Sequence, residues 1–143
     1  MRRSREQKYP ETSTFHYHNQ NPKNRITGDC TFRAISLATG LPYNQVVMDM
    51  AKIQCETGYA LNDKKGIERY LESIGWKKCK QPRKFDGTKY TGEEWCIEIQ
   101  KANLNYPIIA NIGGHHIVCI KDGKVWDIWD STDGCIGNFW VKN

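Results

Sequence analysis

The spacing of apolar positions changes about two-thirds of the way along the chain. Over the first hundred residues, apolar side chains recur at helical intervals, in segments that start at capping residues or stop at glycines. Gly40, Gly58 and Gly75 each follow such a segment, and Thr91 with Glu94 has the spacing of a capping box. This pattern predicts helices over residues 30–39, 43–55, 63–74 and 92–101.

The last third of the chain has the pattern of strands. Apolar and β-branched residues fill four short segments, and Asp122-Gly123, between the second and the third, is a strong hairpin turn. The predicted strands cover residues 106–114, 115–121, 124–130 and 136–142, and two shorter ones are predicted at 14–20 and at "WKKCK". Helices followed by an antiparallel sheet favour an α+β fold over an alternating one.

The length of 143 residues suits one domain with one real core. Six basic and only two acidic residues lie among the first 25, so most of the net charge of +5 is at this end. We expect residues 1–12 to be a flexible basic tail and residues 13–143 to be a single domain. The tail suggests weak attraction to nucleic acid, but no aromatic or Gly-rich pattern organises its charges for that purpose.

Several classes of protein are disfavoured by what the sequence lacks. No apolar run is long enough to span a bilayer, so no membrane partner is expected, and the charged start has no apolar stretch after it, as a secretory signal would require. The six cysteines include no CxxC pair, and without a signal we expect reduced thiols and a cytoplasmic protein. Close histidine pairs have no matching cysteine pair, so we expect no metal and no cofactor.

Cys30 is the cysteine best placed for chemistry. In "GDCTFRAIS" it lies at the predicted start of a helix, where unpaired N–H groups and the helix dipole favour the thiolate, which is the reactive form of the side chain. None of the other five cysteines has this setting. The alternative is an ordinary buried thiol, because free cysteine is among the most buried residue types.

A thiolate nucleophile needs a partner that takes and returns a proton, and histidine titrates in the right range. His115 and His116 open a predicted strand directly after Gly113-Gly114, where two small residues leave room for a substrate. The alternative is a pair of polar residues at the end of a sheet.

The histidine in turn needs an orienting group, and the next strand offers Asp127 and Asp130. A strict two-residue hairpin turn places His115 opposite Asp130. The same register leaves His116 diagonal to Asp127, whereas one bulge would place His116 opposite Asp130. The spacing therefore predicts a His–Asp contact without choosing the pair. The alternatives are solvation of the hairpin for Asp127 and turn initiation for Asp130.

The segment "GDCTFRAIS" followed by "GGHHIVCIKDGKVWDIWDS" resembles the papain-like cysteine peptidase superfamily. In that fold the cysteine opens a helix, the histidine starts a strand, and an Asn or Asp lies on the next strand. The resemblance covers about residues 14–142. It implies a papain-like fold with Cys30 as nucleophile, His116 as base and Asp130 as orienting residue. The hairpin register keeps His115 and Asp127 as alternatives.

The cysteine segment also resembles two other groups. Bacteriocin-processing peptidases have Asp-Cys at the helix start, and ovarian-tumour-type deubiquitinases have Cys, one residue, then Phe/Tyr-Arg-Ala. More closely, the chain from "NPKNRITGDC" to "FW" is similar to a group of small, uncharacterised phage and prophage proteins. A phage-encoded protein would work in the cytoplasm of the host cell.

One part of the papain pattern is missing. Papain-type enzymes carry a Gln several residues before the cysteine to bind the developing oxyanion, and this chain has no Gln there. Asn24, six residues upstream, is the candidate replacement and Asn21 is another, while the backbone N–H of Cys30 could supply one donor. Residues 81–92 and a tryptophan, Trp129 or Trp140, are candidates for substrate specificity.

These expectations combine into a thiol-dependent hydrolase or acyl transferase, a cysteine peptidase-like enzyme that cleaves a peptide or isopeptide bond in a protein or peptide substrate. The first alternative is a weakly active or inactive binding module of the same fold that blocks a host factor. The second is a nucleic-acid-binding protein that uses the basic tail. The sequence leaves the oligomeric state open.

Overall fold

Helices and strands alternate only partly along the chain. The structure, a computed structural model, describes residues 2–143. The helices in this range are α1 (Arg5–Lys8), α2 (Cys30–Thr39), α3 (Tyr43–Thr57), α4 (Lys64–Ser73) and α5 (Gly92–Lys101). The strands are β1 (Phe15–Tyr17), β2 (Trp76–Cys79), β3 (Ile108–Ile112), β4 (His116–Lys121), β5 (Lys124–Asp127) and β6 (Ile136–Lys142).

The four predicted helices are present, and local chemistry explains where they begin and end. Gly40 ends α2 and Gly58 ends α3, both with positive φ, the conformation that a glycine adopts at low cost. Asp63 caps α4 by accepting a hydrogen bond from the backbone of Lys65 at 2.9 Å. Thr91 caps α5 in a complete capping box.

All six strands form one sheet in the order β1-β5-β4-β3-β6-β2. This confirms an α+β fold, but the expectation of a purely antiparallel sheet was wrong, because β1 pairs with β5 in parallel. A parallel neighbour needs a long connection rather than a hairpin. The more than one hundred residues between β1 and β5, which include four of the helices, provide that connection.

The predicted hairpin between β4 and β5 is confirmed. Asp122 and Gly123 both have positive φ, as a tight two-residue turn of type I′ requires, and Lys121 pairs with Lys124. The strand β5 ends at Asp127, three residues earlier than predicted. The end of β5 decides which carboxylate lies beside the start of β4.

Two apolar clusters cover the two faces of the sheet. One face packs against α2, α3 and α4 and includes Ile35 of α2 with Ile117 of β4. The other packs against α5 and the N-terminal segment, and it includes Phe15, Trp95 and Ile120. Because α2 packs on β4 along its length, the first residue of α2 lies beside the first residues of β4.

The predicted basic tail contains a short helix. Residues 5–8 form α1 with a complete capping box, and Arg5 donates from Nε to the carbonyl of Ile128 at 2.7 Å. Glu11 accepts a hydrogen bond from Lys124 at 2.6 Å. Residue 1 lies outside the described residues, and the flexibility of residues 1–12 stays a prediction. Across residues 2–143, no helix combines the length and apolar character needed to cross a membrane.

Candidate active site

Cys30 is the first residue of α2, as the sequence predicts. The residue before it, Asp29, makes no side-chain capping hydrogen bond, so the N–H groups of the first turn lack the usual carboxylate acceptor. A thiolate at this position faces the positive end of the helix dipole. The first group of the candidate site is therefore a half-buried thiol at a helix N-terminus.

The imidazole of His116 lies next to the thiol of Cys30, close enough for the two groups to shift each other's pKa. Burial by itself would raise the pKa of Cys30. Interactions with the His116 side chain and the Ile117 backbone, helped by the charges of His116 and Arg33, outweigh burial and lower the pKa of Cys30 below its ordinary value. The thiolate is thus favoured by a specific partner as well as by the helix.

Asp127 binds the other side of the His116 ring, with 2.5 Å between Nε2 and Oδ2. Because Nε2 is engaged in this way, Nδ1 is the ring nitrogen left for Cys30. Burial would lower the pKa of His116, but the hydrogen bond with Asp127 and the interaction with Cys30 raise it to about 9. His116 is therefore charged at neutral pH, and it forms the centre of a Cys–His–Asp chain.

Asp127 is held in place where β5 pairs with the parallel strand β1. It is the last residue of β5, it pairs with Tyr17 of β1, and its carbonyl accepts a hydrogen bond from the backbone of His18 at 2.9 Å. Its Oδ1 accepts from the backbone of Ile128 at 2.7 Å. With 1% of its surface exposed, the carboxylate is fixed by protein groups rather than by solvent.

A buried arginine connects the carboxylate at the end of β5 with the start of α2 through hydrogen bonds. Arg33 donates from Nη1 to Oδ1 of Asp127 and from Nε to Asp29, the latter at 2.7 Å. Asp29 also accepts from the Tyr43 hydroxyl at 2.6 Å and from the Asn21 amide at 2.9 Å. Two carboxylates share one guanidinium, so the acid beside His116 and the residue before Cys30 are parts of one network.

Asp130, the predicted orienting residue, does not contact His116 in the described hydrogen bonds. Its Oδ1 accepts from the backbone and the hydroxyl of Thr132, at 2.9 and 2.6 Å, and so shapes a turn. The carbonyl of Thr132 then accepts from the first turn of α5, at Glu93. Geometry thus corrects the expected pair, because β5 ends at Asp127 and Asp130 belongs to the turn that follows.

The other predicted site residues lie around this centre. His115 is exposed at the rim of the cleft beside Cys30. Asn24 is exposed, and its Oδ1 accepts from Asn19 at 3.3 Å, while Asn21 is used to hold Asp29. Nothing in these contacts tests Asn24 as an oxyanion donor.

Two of the residues proposed for specificity have different surroundings. Trp129 lies against His116, with 4.8 Å between ring centroids, and shields the imidazole on one side. Trp140 is 5% exposed within the core cluster under α2 and packs there as an apolar residue. Of these two tryptophans, the described contacts bring only Trp129 to the candidate site.

Two neighbouring cavities have Asn111 and Lys64 in both of their linings, and we treat them as two lobes of one cleft beside Cys30. The Cys30 lobe has a volume of about 380 Å³, and the glycine lobe has one of about 400 Å³. The lining of the Cys30 lobe includes Cys30, Ile67, His115 and Ile117. The lining of the glycine lobe includes Gly113, Gly114, Gly137 and Asn138, with Gln81 and Lys89 from the predicted specificity segment.

Sequence reasoning missed Arg33, Asp29 and Asn111. A spacing of four residues between Asp29 and Arg33 on one helix face indicates an ion pair. It does not indicate that the same arginine also binds a carboxylate on a distant strand. Nothing in the sequence marked Asn111, which sits in the apolar run "YPIIANIGG".

Chemically, the arrangement offers a thiol with a lowered pKa, a charged imidazole that can donate a proton, and a carboxylate that fixes the imidazole. The cleft provides space for a ligand next to the thiol. No protein-family model, curated protein or solved structure gives a significant match to this chain.

Proposed function

We propose that the protein is a cysteine peptidase-like hydrolase or acyl transferase that acts on a peptide or isopeptide bond. The proposed nucleophile is Cys30, His116 is the proton-transfer group, and Asp127 takes the orienting role that the sequence had suggested for Asp130. The observation that carries this proposal is that His116 interacts with Cys30 on one side and is hydrogen-bonded to Asp127 on the other.

The first step is attack of the Cys30 thiolate on the substrate carbonyl. The new bond joins Sγ to the carbonyl carbon, and the electron pair of the C=O bond moves to oxygen. The backbone N–H of Cys30 is one donor for that oxyanion, and Asn24 remains the proposed second donor. When the C–N bond breaks, the charged His116 gives its proton to the leaving amine.

The second step releases the acyl group. His116, now neutral, takes a proton from water, and the oxygen of that water attacks the thioester carbon. Breaking the bond between Sγ and carbon returns the thiolate and gives a carboxylic acid. With an amine in place of water, the same step is acyl transfer.

The proposed fold is papain-like. The order of helix with nucleophile, strand with histidine and next strand with acid supports it, as does the packing of α2 on β4. The parallel strand β1 and the buried Arg33 are features to which the sequence resemblance assigned no role. A binding module of the same fold would keep its biological effect in Cys30→Ala, whereas the enzyme would lose it.

The proposal predicts fast alkylation of Cys30 by iodoacetamide at pH 6. A thiol of ordinary pKa is almost entirely protonated there, whereas the lowered pKa of Cys30 leaves a larger fraction of it as thiolate. His116→Ala removes the partner and should slow alkylation at pH 6 by at least about tenfold, which corresponds to one unit of pKa. Mass spectrometry of digested protein measures each cysteine separately.

His115→Ala is the matched control, because the adjacent histidine is exposed and should leave the rate unchanged. Cys55, which is also exposed, reports the behaviour of an unactivated thiol in the same sample. If Cys30 reacts no faster than Cys55 at pH 6, the proposed function is wrong. A larger effect of His115→Ala than of His116→Ala would reassign the base.

A further inference from the structure

Asn111 is a buried polar residue whose side-chain oxygen has no partner. Only 9% of its surface is exposed, and Oδ1 is fully buried without a hydrogen bond in the described part of the chain. Buried amide groups are nearly always paired, because leaving one unpaired destabilises the folded state. An unpaired amide oxygen at this depth is a candidate for contact with a ligand.

The position of Asn111 connects it with the proposed nucleophile. In the β3–β4 ladder it pairs with Ile117, the residue whose backbone helps to lower the pKa of Cys30. It also lines both lobes of the cleft, so a ligand that extends from the Cys30 lobe into the glycine lobe passes over its side chain.

The strand pairing around Asn111 is irregular, and its neighbour on β6 is a glycine. The pairing of β3 with β6 is irregular between Ala110 and Ile112, and such bulges change the direction of a side chain. Gly137 lies opposite, where an added Cβ would be 3.5 Å from Cβ of Asn111 and 3.7 Å from its Cγ. Since residue 137 has no side chain, β6 places only backbone next to the Asn111 side chain at that point.

We propose that Asn111 is a substrate-binding residue whose side-chain amide pairs with the main chain of an extended peptide in the cleft. This inference rests on the proposed function and names its substrate class. An Asn side chain has a donor and an acceptor side by side, which match the C=O and N–H of one extended peptide residue. Main-chain pairing of this kind gives affinity without dependence on sequence.

The glycine lobe favours main-chain recognition over side-chain recognition. Gly113, Gly114 and Gly137 present backbone instead of side chains on its wall, so a peptide backbone can approach closely. The Cys30 lobe has Ile67 and Ile117 in its lining, which suits one apolar side chain of the same peptide.

The test uses a peptide aldehyde, N-acetyl-Ala-Ala-alaninal, and three relatives that are each methylated on one amide nitrogen. The thiol adds across the aldehyde: Sγ bonds to carbon, the proton goes to oxygen, and the reversible hemithioacetal gives a dissociation constant. In the native protein, methylation at one nitrogen should weaken binding about tenfold, the effect of one lost hydrogen bond at the upper end of its range.

In Asn111→Leu that penalty should disappear, and the unmethylated aldehyde should bind about tenfold more weakly. Asn138→Ala is the control, because Asn138 lines the same lobe from β6 and should keep the native penalty. A penalty that persists in Asn111→Leu overturns the proposal. The proposal is also overturned if methylation has no effect while a peptide with Gln in place of one Ala binds more tightly, and does so only when Asn111 is present. Asn111 would then bind a side chain of the substrate and not its main chain.

Stability separates a ligand-binding role from a structural one. Replacing an unpaired buried amide by an apolar group of similar size should leave the melting temperature of Asn111→Leu unchanged or raised. A fall of several degrees in both Asn111→Leu and Asn111→Ala would identify a structural residue and overturn the proposal. If native Cys30 forms no hemithioacetal and alkylates like Cys55, the proposed function fails and the assignment of Asn111 fails with it.

Discussion

At the scale of single residues, the two oxygens of Asp127 have different partners. Oδ2 binds His116, and Oδ1 binds Arg33 and the backbone of Ile128. A carboxylate with both oxygens engaged has one orientation, and it imposes one orientation on the imidazole. The positioning of the base thus depends on a residue that is itself positioned from both sides.

Asp127→Asn tests the orienting carboxylate. Loss of the negative charge should lower the pKa of His116 from about 9 towards its ordinary value and raise the pKa of Cys30, because the charged imidazole is the main favourable partner of the thiolate. Titration of the imidazole by NMR measures the first effect, and alkylation at pH 6.5, expected to slow by about tenfold, measures the second.

Asp130→Asn is the matched control, since it makes the same substitution three residues away, in a carboxylate bound to Thr132. We expect no change in the titration of His116. A larger effect of Asp130→Asn than of Asp127→Asn would restore the orienting residue that the sequence resemblance had implied.

At the scale of elements, local signals predicted which segments form and where they stop. The capping box of α5, the glycines after α2 and α3, and the Asp122-Gly123 turn are all properties of a few neighbouring residues, and all were read correctly from the sequence. The hairpin register also placed His116 diagonal to Asp127, as observed.

What could not be predicted is set by distant parts of the chain. The strand β5 ends at Asp127 where its next residues are held from elsewhere: the carbonyl of Ile128 accepts from Arg5, and that of Thr132 accepts from Glu93. Arg33 has the pattern of an ordinary helix residue, and only the packing of α2 on the sheet shows that it bridges two carboxylates. Contacts across such separations leave no local pattern.

Because a hydrogen-bonded network joins α2 to β5, we expect the folded state to lose stability in acid. Burial would raise the pKa of Asp29, but hydrogen bonds from Tyr43, Arg33 and Asn21 outweigh burial and lower it. A carboxyl whose folded pKa is below its unfolded value stabilises the protein above the unfolded pKa and loses that contribution as pH falls. Denaturant unfolding should show a steep loss of stability below about pH 4 that is smaller in Asp29→Asn.

At neutral pH, Asp29→Asn should lower the free energy of unfolding by about 3 kcal/mol. This is the low end for breaking a buried ion pair, because Arg33 keeps Asp127 as a partner. Glu68→Gln is the comparison: it breaks the half-exposed pair with Lys78 and should cost less than about 1 kcal/mol. Equal costs for the two variants would show that burial of the network contributes nothing.

At the scale of the whole molecule, one sheet separates two apolar clusters. We expect only one of them to affect the geometry of the proposed catalytic groups. The cluster under α2 contains Ile35 and Ile117 and has Cys30 packed against it. The cluster on the opposite face contains Ile120 of β4, the strand that also carries His116. Packing of α2 on the sheet should therefore set the distance from thiol to imidazole, whereas packing on the far face should set stability alone.

Ile35→Val and Ile120→Val test this division with the same substitution on the two faces. Ile35 is 0% and Ile120 1% exposed, so each variant should lose about 0.5–1.5 kcal/mol in the free energy of unfolding. Only Ile35→Val should change the alkylation rate of native Cys30 at pH 6, by at least about twofold, because small displacements at a reacting pair have large effects on rate. An equal change in both variants would mean that the geometry of the site depends on the sheet as a whole and not on how α2 is seated on it.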